Sequence, residues 1–219
     1  MAKADIWDKM ARKYAQAPIR NEAVYREKLA RTQSYFTPDT EVFEFGCGSG
    51  TTAIEHAPHV RRIVATDLSA NMLEIGREQA AAANIDNISF EQVSFEDFEP
   101  PVETYDVVLS LSLLHLLEAP QAAMSKAYTM LKPGGIFVTS TVCLGDSGGL
   151  KMLLWRVLIP LMQLIGKAPY VNYLSRAQVQ SDLEASGFSI DFARAPAKGE
   201  AAFLIARKPG AGSAIKTSG

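Results

Sequence analysis

A short apolar run that ends in a cluster of glycines constrains this chain most. Val42-Phe43-Glu44-Phe45 has the pattern of a buried strand, Gly46-Cys47-Gly48-Ser49-Gly50 follows at once, and residues 51–57 can form a helix. Glycines allow a tight turn and let a ligand lie against bare main chain. The start of the following helix offers free N–H groups. This order of elements predicts a ligand site in an α/β sheet.

Strand and helix patterns alternate along the rest of the chain. Strands are predicted at 62–67, 88–93, 105–110, 136–140, 189–192 and 201–206. Helices are predicted at 70–83 and 120–131, and Ser69 and Ser175 are expected to cap helices. Strands separated by helices form βαβ units, so the fold class is α/β with a doubly wound, mostly parallel sheet.

Composition excludes several other classes. The 219 residues are 47% hydrophobic and 21% charged, with a net charge of −2, which argues against a large electrostatic grip on nucleic acid. Cys47 and Cys143 are too few for a disulfide framework or a zinc cluster, and no metal site is predicted. No apolar signal region and no run of about 20 apolar residues is present, so a cytoplasmic protein without a transmembrane segment is expected.

An acidic residue after the second strand supports the ligand site. Asp67 follows Gly46 by 21 residues, and in doubly wound sheets an acid at about that spacing, ~20 residues, accepts hydrogen bonds from a ribose. A dinucleotide fingerprint would place its third glycine at position 51, where the residue is Thr51, and no Gly-Lys-Ser/Thr closes the loop as in a P-loop. The pattern therefore favours another adenosine-type ligand.

Four motifs identify that ligand by resemblance. Glu44-Phe45-Gly46-Cys47-Gly48-Ser49-Gly50 resembles the first motif of class I S-adenosylmethionine-dependent methyltransferases. Three further motifs of that family follow in the same order. They are resembled by Asp67-Leu68-Ser69 with Met72, by Tyr105-Asp106-Val107-Val108, and by Leu131-Lys132-Pro133-Gly134-Gly135. The resemblance covers residues 40–141 closely and implies a Rossmann-like, seven-stranded sheet with an antiparallel last strand.

The resemblance also implies which residues hold S-adenosylmethionine. Glu44, Gly46, Gly48 and Gly50 should line its methionine portion and sugar, with Cys47 as a small residue in the loop rather than a nucleophile. Asp67 should hold the ribose hydroxyls, Leu68 and Met72 should pack near the adenine, and Ser110 and Leu111 should pass close to the sulfonium. Ser94-Phe95-Glu96-Asp97 matches the family's loop at the edge of the adenine. Glu96, Asp97 or a backbone group of this loop is expected to contact the adenine amino group.

Candidate catalytic residues are His115 and Tyr14. His115 lies five residues past Ser110, where it either accepts a proton from the acceptor or packs at the start of the next helix. Tyr14 and Trp7 belong to a helix that folds over the donor in relatives, where their rings either face the sulfonium or simply pack. His56 and His59 are expected at the surface.

We expect a single methyltransferase domain over residues 1–207, followed by a disordered tail at 208–219. Residues 1–37 are predicted to form an N-terminal helical cap, and residues 145–174 a helical insertion. The favoured interpretation of this insertion is a lid over an apolar pocket. The alternatives are a dimer surface and a peripheral membrane contact. The expected partner is a small, partly hydrophobic acceptor, lipid-like or a quinone, and the protein is a monomer or a homodimer. Ser110-Leu111-Ser112-Leu113 contains no proline and so differs from the motif of nucleic-acid amino-methylating enzymes.

Two other functions are compatible with parts of the pattern. One is a nucleotide-cofactor oxidoreductase on the same sheet. Thr51, in place of the third glycine of the dinucleotide fingerprint, argues against it. The other is a non-catalytic module that only binds the donor, against which the intact loop, acid and strand-four motifs speak.

Overall fold

A single sheet organises the part of the chain that the computed structural model describes, residues 3–95, 97–146, 150–164, 168–194 and 201–210. Its seven strands are β1 (Glu41–Phe45), β2 (Arg62–Asp67), β3 (Ile88–Gln92), β4 (Tyr105–Leu111), β5 (Leu131–Thr141), β6 (Ser189–Arg194) and β7 (Ala202–Arg207). Their order is β3-β2-β1-β4-β5-β7-β6, and β7 runs antiparallel to both of its neighbours. The predicted α/β class and the antiparallel last strand are confirmed.

Helices cover both faces of this sheet. The α-helices within the described residues are α1 (Lys3–Ala15), α2 (Glu22–Gln33), α3 (Thr51–His56), α4 (Ala70–Ala82), α5 (Pro120–Met130), α6 (Leu150–Leu164) and α7 (Arg176–Ala185). Side chains alternate across a strand, so β1 contributes to two cores. Phe43 and Phe45 share one core with helices α5 and α7, whereas Val42 shares the other with α3.

The strand order places a crevice at the carboxyl end of β1. The chain runs from β1 outward to β2 and β3, and then crosses back to β4 on the other side of β1. The loops that leave β1 and β4 therefore diverge to opposite sides of the sheet. Ligands of open α/β sheets bind at such a switch point.

The predicted helix caps are confirmed. The Ser69 hydroxyl accepts from Met72 N at the start of α4, and the Ser175 hydroxyl accepts from Gln178 N at the start of α7. A side-chain oxygen at this position satisfies one of the otherwise unpaired N–H groups of the first helical turn.

His56 corrects one expectation. This side chain is buried, lies edge-on to the Phe36 ring at 5.1 Å, and has Gln33 Nε2 at 3.4 Å from its Nδ1 atom. Burial lowers the pKa of His56 to about 4, so the ring is neutral at physiological pH. The prediction of a surface position was wrong for His56 because helix α2 covers that side of α3; His59 is exposed as expected.

Two of the family motifs fasten the end of the sheet that lies away from the glycine loop. Asp106 Oδ2 accepts from Glu41 N at 2.9 Å, and Lys132 Nζ lies 2.9 Å from Asp106 Oδ1. A Cβ atom on Gly135 would come within 2.9 Å of the Asp106 carbonyl oxygen, so this close approach requires glycine. The strand-four and strand-five motifs are therefore structural.

Helix α6 carries apolar side chains on its solvent side. Leu154, Val157, Leu158, Leu161 and Leu164 are exposed, whereas Ile159 is buried. Among the residues that the structure describes, no helix combines the length and the apolar character needed to cross a membrane. Parts of the predicted lid, at 147–149 and 165–167, and the predicted tail beyond residue 210 lie outside the described residues.

Substituting Asp106 tests the structural role of its motif. Asp106→Ala leaves Glu41 N without its acceptor, and we expect a loss of about 1–3 kcal/mol in the free energy of unfolding, or about 2–10 °C in melting temperature. Lys132→Met should cost less, about 0–1 kcal/mol, because that ion pair is partly exposed. Affinity for S-adenosylhomocysteine should not change in either variant; a loss of affinity without a loss of stability would contradict the assignment.

Candidate active site

The glycine loop after β1 turns through three left-handed residues. Gly46, Gly48 and Gly50 have φ values of +61°, +55° and +70°, a region that strains other residues. Gly50 also has no room for a side chain, because a Cβ atom there would lie 2.6 Å from the Phe90 ring. Cys47 N donates to Thr66 O at 2.9 Å, which fastens the loop to strand β2.

The Asp67 carboxylate joins the loops that follow β1 and β2. Its Oδ2 atom accepts from Gly48 N and its Oδ1 atom accepts from Ser69 N, each at 2.9 Å. Burial raises the pKa of Asp67, while these backbone donors favour the charged form and oppose that shift. A carboxylate has about four lone-pair sites, so Asp67 keeps capacity to accept from another donor.

Helix α1 is fastened beside this carboxylate by Asp8. Asp8 Oδ1 accepts from the Ser69 hydroxyl at 2.5 Å and from Asn71 N at 3.2 Å, at the start of α4. This contact lays α1 across the site, with Tyr14 Cε1 only 3.6 Å from where a Cβ atom of Gly48 would stand. The Trp7 and Tyr14 rings meet edge-on with their centroids 6.4 Å apart.

A first cavity of about 1060 Å³, its open mouth included, lies above Asp67. Most of its wall is apolar, with Phe45, Val93, Phe98 and Leu113 among the lining residues that were not predicted. The structure brings together these predicted site residues in its wall: Tyr14, Gly46, Gly48, Asp67, Leu68, Met72, Phe95 and Leu111.

The far end of this cavity is formed by the loop after β3. Ser94 and Phe95 line it, the Ser94 hydroxyl donates to Asp97 Oδ2 at 2.6 Å, and Asp97 N donates back to Ser94 Oγ. Lys126 Nζ donates to Phe95 O at 2.8 Å and holds the loop in place. Glu96, which was predicted here as a possible contact, lies outside the described residues.

A second cavity of about 2220 Å³, its mouth included, continues from the first. The two share Tyr14, Gly46, Gly48, Leu111 and Ser112 in their walls. The second cavity then extends between α2 and the carboxyl end of β5, and it also contains predicted residues Glu44 and Cys47. Lys28, Arg20 and Ser140 line it as well, and no sequence motif had marked them.

Glu44 is the buried acid of the second cavity. Its side chain is 2% exposed, and its Oε2 atom has no hydrogen-bond partner in the described part of the chain. Burial, with the nearby Asp67 carboxylate, raises the pKa of Glu44 from the usual 4.5 to about 8. Because buried polar atoms are nearly always paired, this oxygen is suited to a ligand with a polar group.

Two other predicted residues differ in their surroundings. Burial and the nearby Glu44 carboxylate raise the pKa of the Cys47 thiol well above its ordinary value, which fits a small packing residue and not a thiolate nucleophile. Ser110 is fully buried and lines neither cavity, while Leu111 lines both. Of the strand-four pair, only Leu111 therefore faces the site.

His115 does not face either cavity. It lies in a short 3₁₀ turn, Leu114–Leu116, and its carbonyl oxygen accepts from Asn172 N at 2.6 Å, which fastens the segment after α6. Burial lowers the pKa of His115 to about 4. Its neighbours Leu113 and Leu116 line the first cavity instead, so this geometry gives no support to its predicted contact with an acceptor.

Comparisons with known proteins identify the class. Residues 42–135, which include the glycine loop, Asp67 and the two structural motifs, match the family model described as a methyltransferase domain. Residues 42–135 are therefore a methyltransferase domain, and this match, the sheet topology and the motifs support a class I S-adenosylmethionine-dependent methyltransferase, an enzyme class whose donor is S-adenosylmethionine. The oxidoreductase and the binding module considered from the sequence are set aside.

Particular relatives extend beyond the matched domain. The chain is 28% identical over 196 residues to demethylmenaquinone methyltransferase of Symbiobacterium thermophilum, which covers 79% of this chain and 76% of that protein. It is 24% identical over 151 residues to ubiquinone biosynthesis O-methyltransferase of Acinetobacter baumannii, covering 68% and 64%. A solved S-adenosylmethionine dependent methyltransferase from Mesorhizobium loti shares the fold, with a TM-score of 0.68, 19% identity, and coverage of 84% and 98%.

The buried Glu44 predicts a pH dependence of stability. Between the usual carboxyl pKa of 4.5 and about 8, the folded chain keeps a proton that the unfolded chain has released, so stability falls as the pH rises through this window. Glu44→Gln removes this cost, and we expect the ligand-free variant to gain about 3 kcal/mol over the parent at pH 8 and little at pH 5. Denaturant unfolding at both pH values measures the difference.

Glu41→Gln, at the other end of the same strand, is the matched control. It should show no gain that grows with pH. An equal gain for Glu44→Gln at pH 5 and pH 8 would show that the carboxyl is not held protonated in the folded chain.

Proposed function

We propose that this enzyme moves the methyl group of S-adenosylmethionine to a small, partly hydrophobic acceptor by in-line displacement. The observation that carries the proposal is the junction of two cavities at Gly46, Gly48, Leu111 and Ser112. A donor in the first cavity and an acceptor in the second would meet there. The proposal adds to the enzyme class an arrangement of the donor and the acceptor in the site.

The residues of the first cavity fit the nucleoside portion of the donor. Asp67 keeps lone pairs for the ribose hydroxyls, and Leu68 and Met72 supply apolar walls for the adenine. The bare main chain at Gly46 and Gly48 leaves room for close approach. The unpartnered Oε2 atom of Glu44 is available to the methionine ammonium at the second cavity.

When bound, S-adenosylmethionine supplies a methyl carbon on a cationic sulfur: the carbon–sulfur bond breaks with its electron pair on sulfur, a lone pair of the acceptor forms the new bond, and the acceptor's proton passes to solvent. The chain contributes orientation and exclusion of water, which together supply up to about 7–11 kcal/mol. Tyr14 on α1 and Leu111 at the end of β4 both line the junction, and Trp7 lies beside Tyr14 in the wall of the first cavity.

The acceptor class follows from the second cavity and from the relatives. Its walls include apolar side chains of Leu29, Val142 and Phe203, which suit a ring or a short lipid-like group. One relative described above is named as a demethylmenaquinone methyltransferase and the other as an O-methyltransferase of ubiquinone biosynthesis. His115 lines neither cavity, and burial lowers the pKa of His56, which does line the second cavity, to about 4 and makes it a weak base. We therefore infer an acceptor that loses its proton without a histidine base. We propose an ionisable, quinone-like ring compound.

The segment around α6 retains its proposed role as a lid. Pro169 and Tyr170, which follow α6, line the first cavity. Asn172 N and the amide of Asn172 bind the carbonyl groups of His115 and Leu117, so this segment is fastened beside the cavity mouth. The exposed apolar side of α6 is also compatible with the two alternatives for this segment, a dimer surface and a membrane contact.

Removing the Asp67 carboxylate tests the donor site. Asp67→Ala should weaken binding of S-adenosylhomocysteine about 10- to 100-fold, since hydrogen bonds to a charged group contribute about 1.5–3 kcal/mol. Isothermal titration calorimetry measures the affinity, and thermal unfolding checks that the variant folds. Asp39→Ala, in the exposed turn before β1, should bind as the parent does. Equal affinity in Asp67→Ala and the parent would overturn the assignment.

A panel of acceptors tests the other half of the proposal. The enzyme is incubated with methyl-labelled S-adenosylmethionine and a hydroxynaphthoquinone, a phenol, a fatty amine or tRNA, and mass spectrometry reads the product. We expect label on the ring compounds that carry an ionisable hydroxyl. Label confined to tRNA would show that the acceptor class is wrong while the donor site stands.

A further inference from the structure

Lys28 brings a cation to the inner wall of the second cavity. It lies on α2, and its Nζ atom is 3.0 Å from the hydroxyl oxygen of Ser140 at the end of β5, 112 residues away in sequence. The same Nζ atom lies 5.5 Å from the centre of the Phe203 ring on β7. Ser140 is one of the partners of Lys28, and its side chain is almost fully buried.

The Lys28–Ser140 pair stands next to the junction of the two cavities. Ser140 is opposite Leu111 in the register of β4 and β5, and Ser112 N donates to Ser140 O at 2.7 Å. Leu111, the last residue of β4, and Ser112, which follows it, line both cavities. A group held by Lys28 and Ser140 would therefore lie on the acceptor side of the junction, within a small molecule's length of it.

The charges that line this cavity favour an anion. The cations among its described lining residues are Lys28 and Arg20, and the carboxyl groups are Glu44 and Glu22. Glu22 is already paired with Arg26 at 2.8 Å, and Glu44 holds a proton up to a pKa of about 8. Among these four described side chains the cations therefore outweigh the carboxylates near neutral pH before the donor binds, in contrast to the first cavity with its Asp67 carboxylate.

We propose that the second cavity binds its acceptor as an enolate or phenolate anion, whose oxygen lies on the ammonium of Lys28 and accepts the hydrogen of the Ser140 hydroxyl. This inference rests on the proposed function, because it takes the second cavity as the acceptor site. A charge-assisted hydrogen bond to an ammonium stabilises the ionised form of the acceptor. The acceptor then arrives without the proton that a base would otherwise have to remove.

Two naphthoquinones that differ by one methyl group test this binding mode. The probe is 2-hydroxy-1,4-naphthoquinone, which is an anion at pH 7.5, and its neutral counterpart is the methyl ether 2-methoxy-1,4-naphthoquinone. Calorimetry measures both dissociation constants in the presence of saturating S-adenosylhomocysteine. We expect the parent enzyme to bind the anion about tenfold more tightly than the ether, and Lys28→Met to lose that preference. Ser140→Ala should reduce it by a smaller factor.

Arg31→Met is the matched control, because Arg31 lies on the same helix but stacks on the Phe192 ring at 4.4 Å and does not line the cavity. It should keep the parent's preference for the anion. Affinity for S-adenosylhomocysteine should be the same in all variants, which shows that the donor site is folded.

Several results would overturn the inference. A parent enzyme that binds the two naphthoquinones equally, or binds neither, lacks the anion site. A Lys28→Met variant that keeps the preference shows that another group provides it. Failure of the proposed function has a different signature, since the parent would then not bind S-adenosylhomocysteine or would transfer no label to a small acceptor.

Discussion

The Asp67 carboxylate is the interaction on which the site depends. Strands β1 and β2 are paired in register up to Phe45 and Thr66, so the two loops that leave them begin at the same level of the sheet. Asp67 then accepts one backbone N–H from each loop, at Gly48 and at Ser69. Without this bridge, three left-handed glycines within five residues would leave the first loop free to take many conformations, because glycine restricts the backbone least.

The same bridge sets the position of the N-terminal helix. Ser69 gives its backbone N–H to Asp67, its hydroxyl to Asp8 of α1, and accepts from Met72 N in α4. One residue thus connects the carboxylate, the cap of one helix and the anchor of another. Tyr14 lies over Gly48 as a consequence of this chain of contacts, and both cavities acquire their shared wall.

Local patterns allowed much of the fold to be predicted. Strand periodicity, the caps at Ser69 and Ser175, and the glycine loop depend on residues a few positions apart, and the structure confirms them. Contacts between distant segments could not be predicted in this way. Asp8 meets Ser69 across 61 residues, and Lys28 meets Ser140 across 112. No pattern within either segment marks such a pair.

His115 shows how a local count fails at a turn. Its offset of five residues from Ser110 suggested a place beside the acceptor, but the backbone at Ser112 is left-handed, with φ of +58°, and the chain then enters a 3₁₀ turn. Leu113 occupies the space over Gly46 instead, with its side chain 2.9 Å from where a Cβ atom of that glycine would be. The left-handed residue therefore decides which side chains reach the cavity.

Charge divides the site into two halves that match the proposed reactants. Asp67 lines the first cavity, where the proposed donor lies; Lys28 lines the second cavity, where the proposed acceptor is an anion, and Glu44 lines that second cavity too, where it is available to the donor's ammonium. A cation beside Glu44 would favour its ionised form and offset the cost of burying it, so donor binding would release a proton. The ionised Glu44 would then lie in the same cavity as Lys28. The donor's ammonium would neutralise that carboxylate, so Lys28 would remain the cation that meets the acceptor whether the donor carries its methyl group or has lost it.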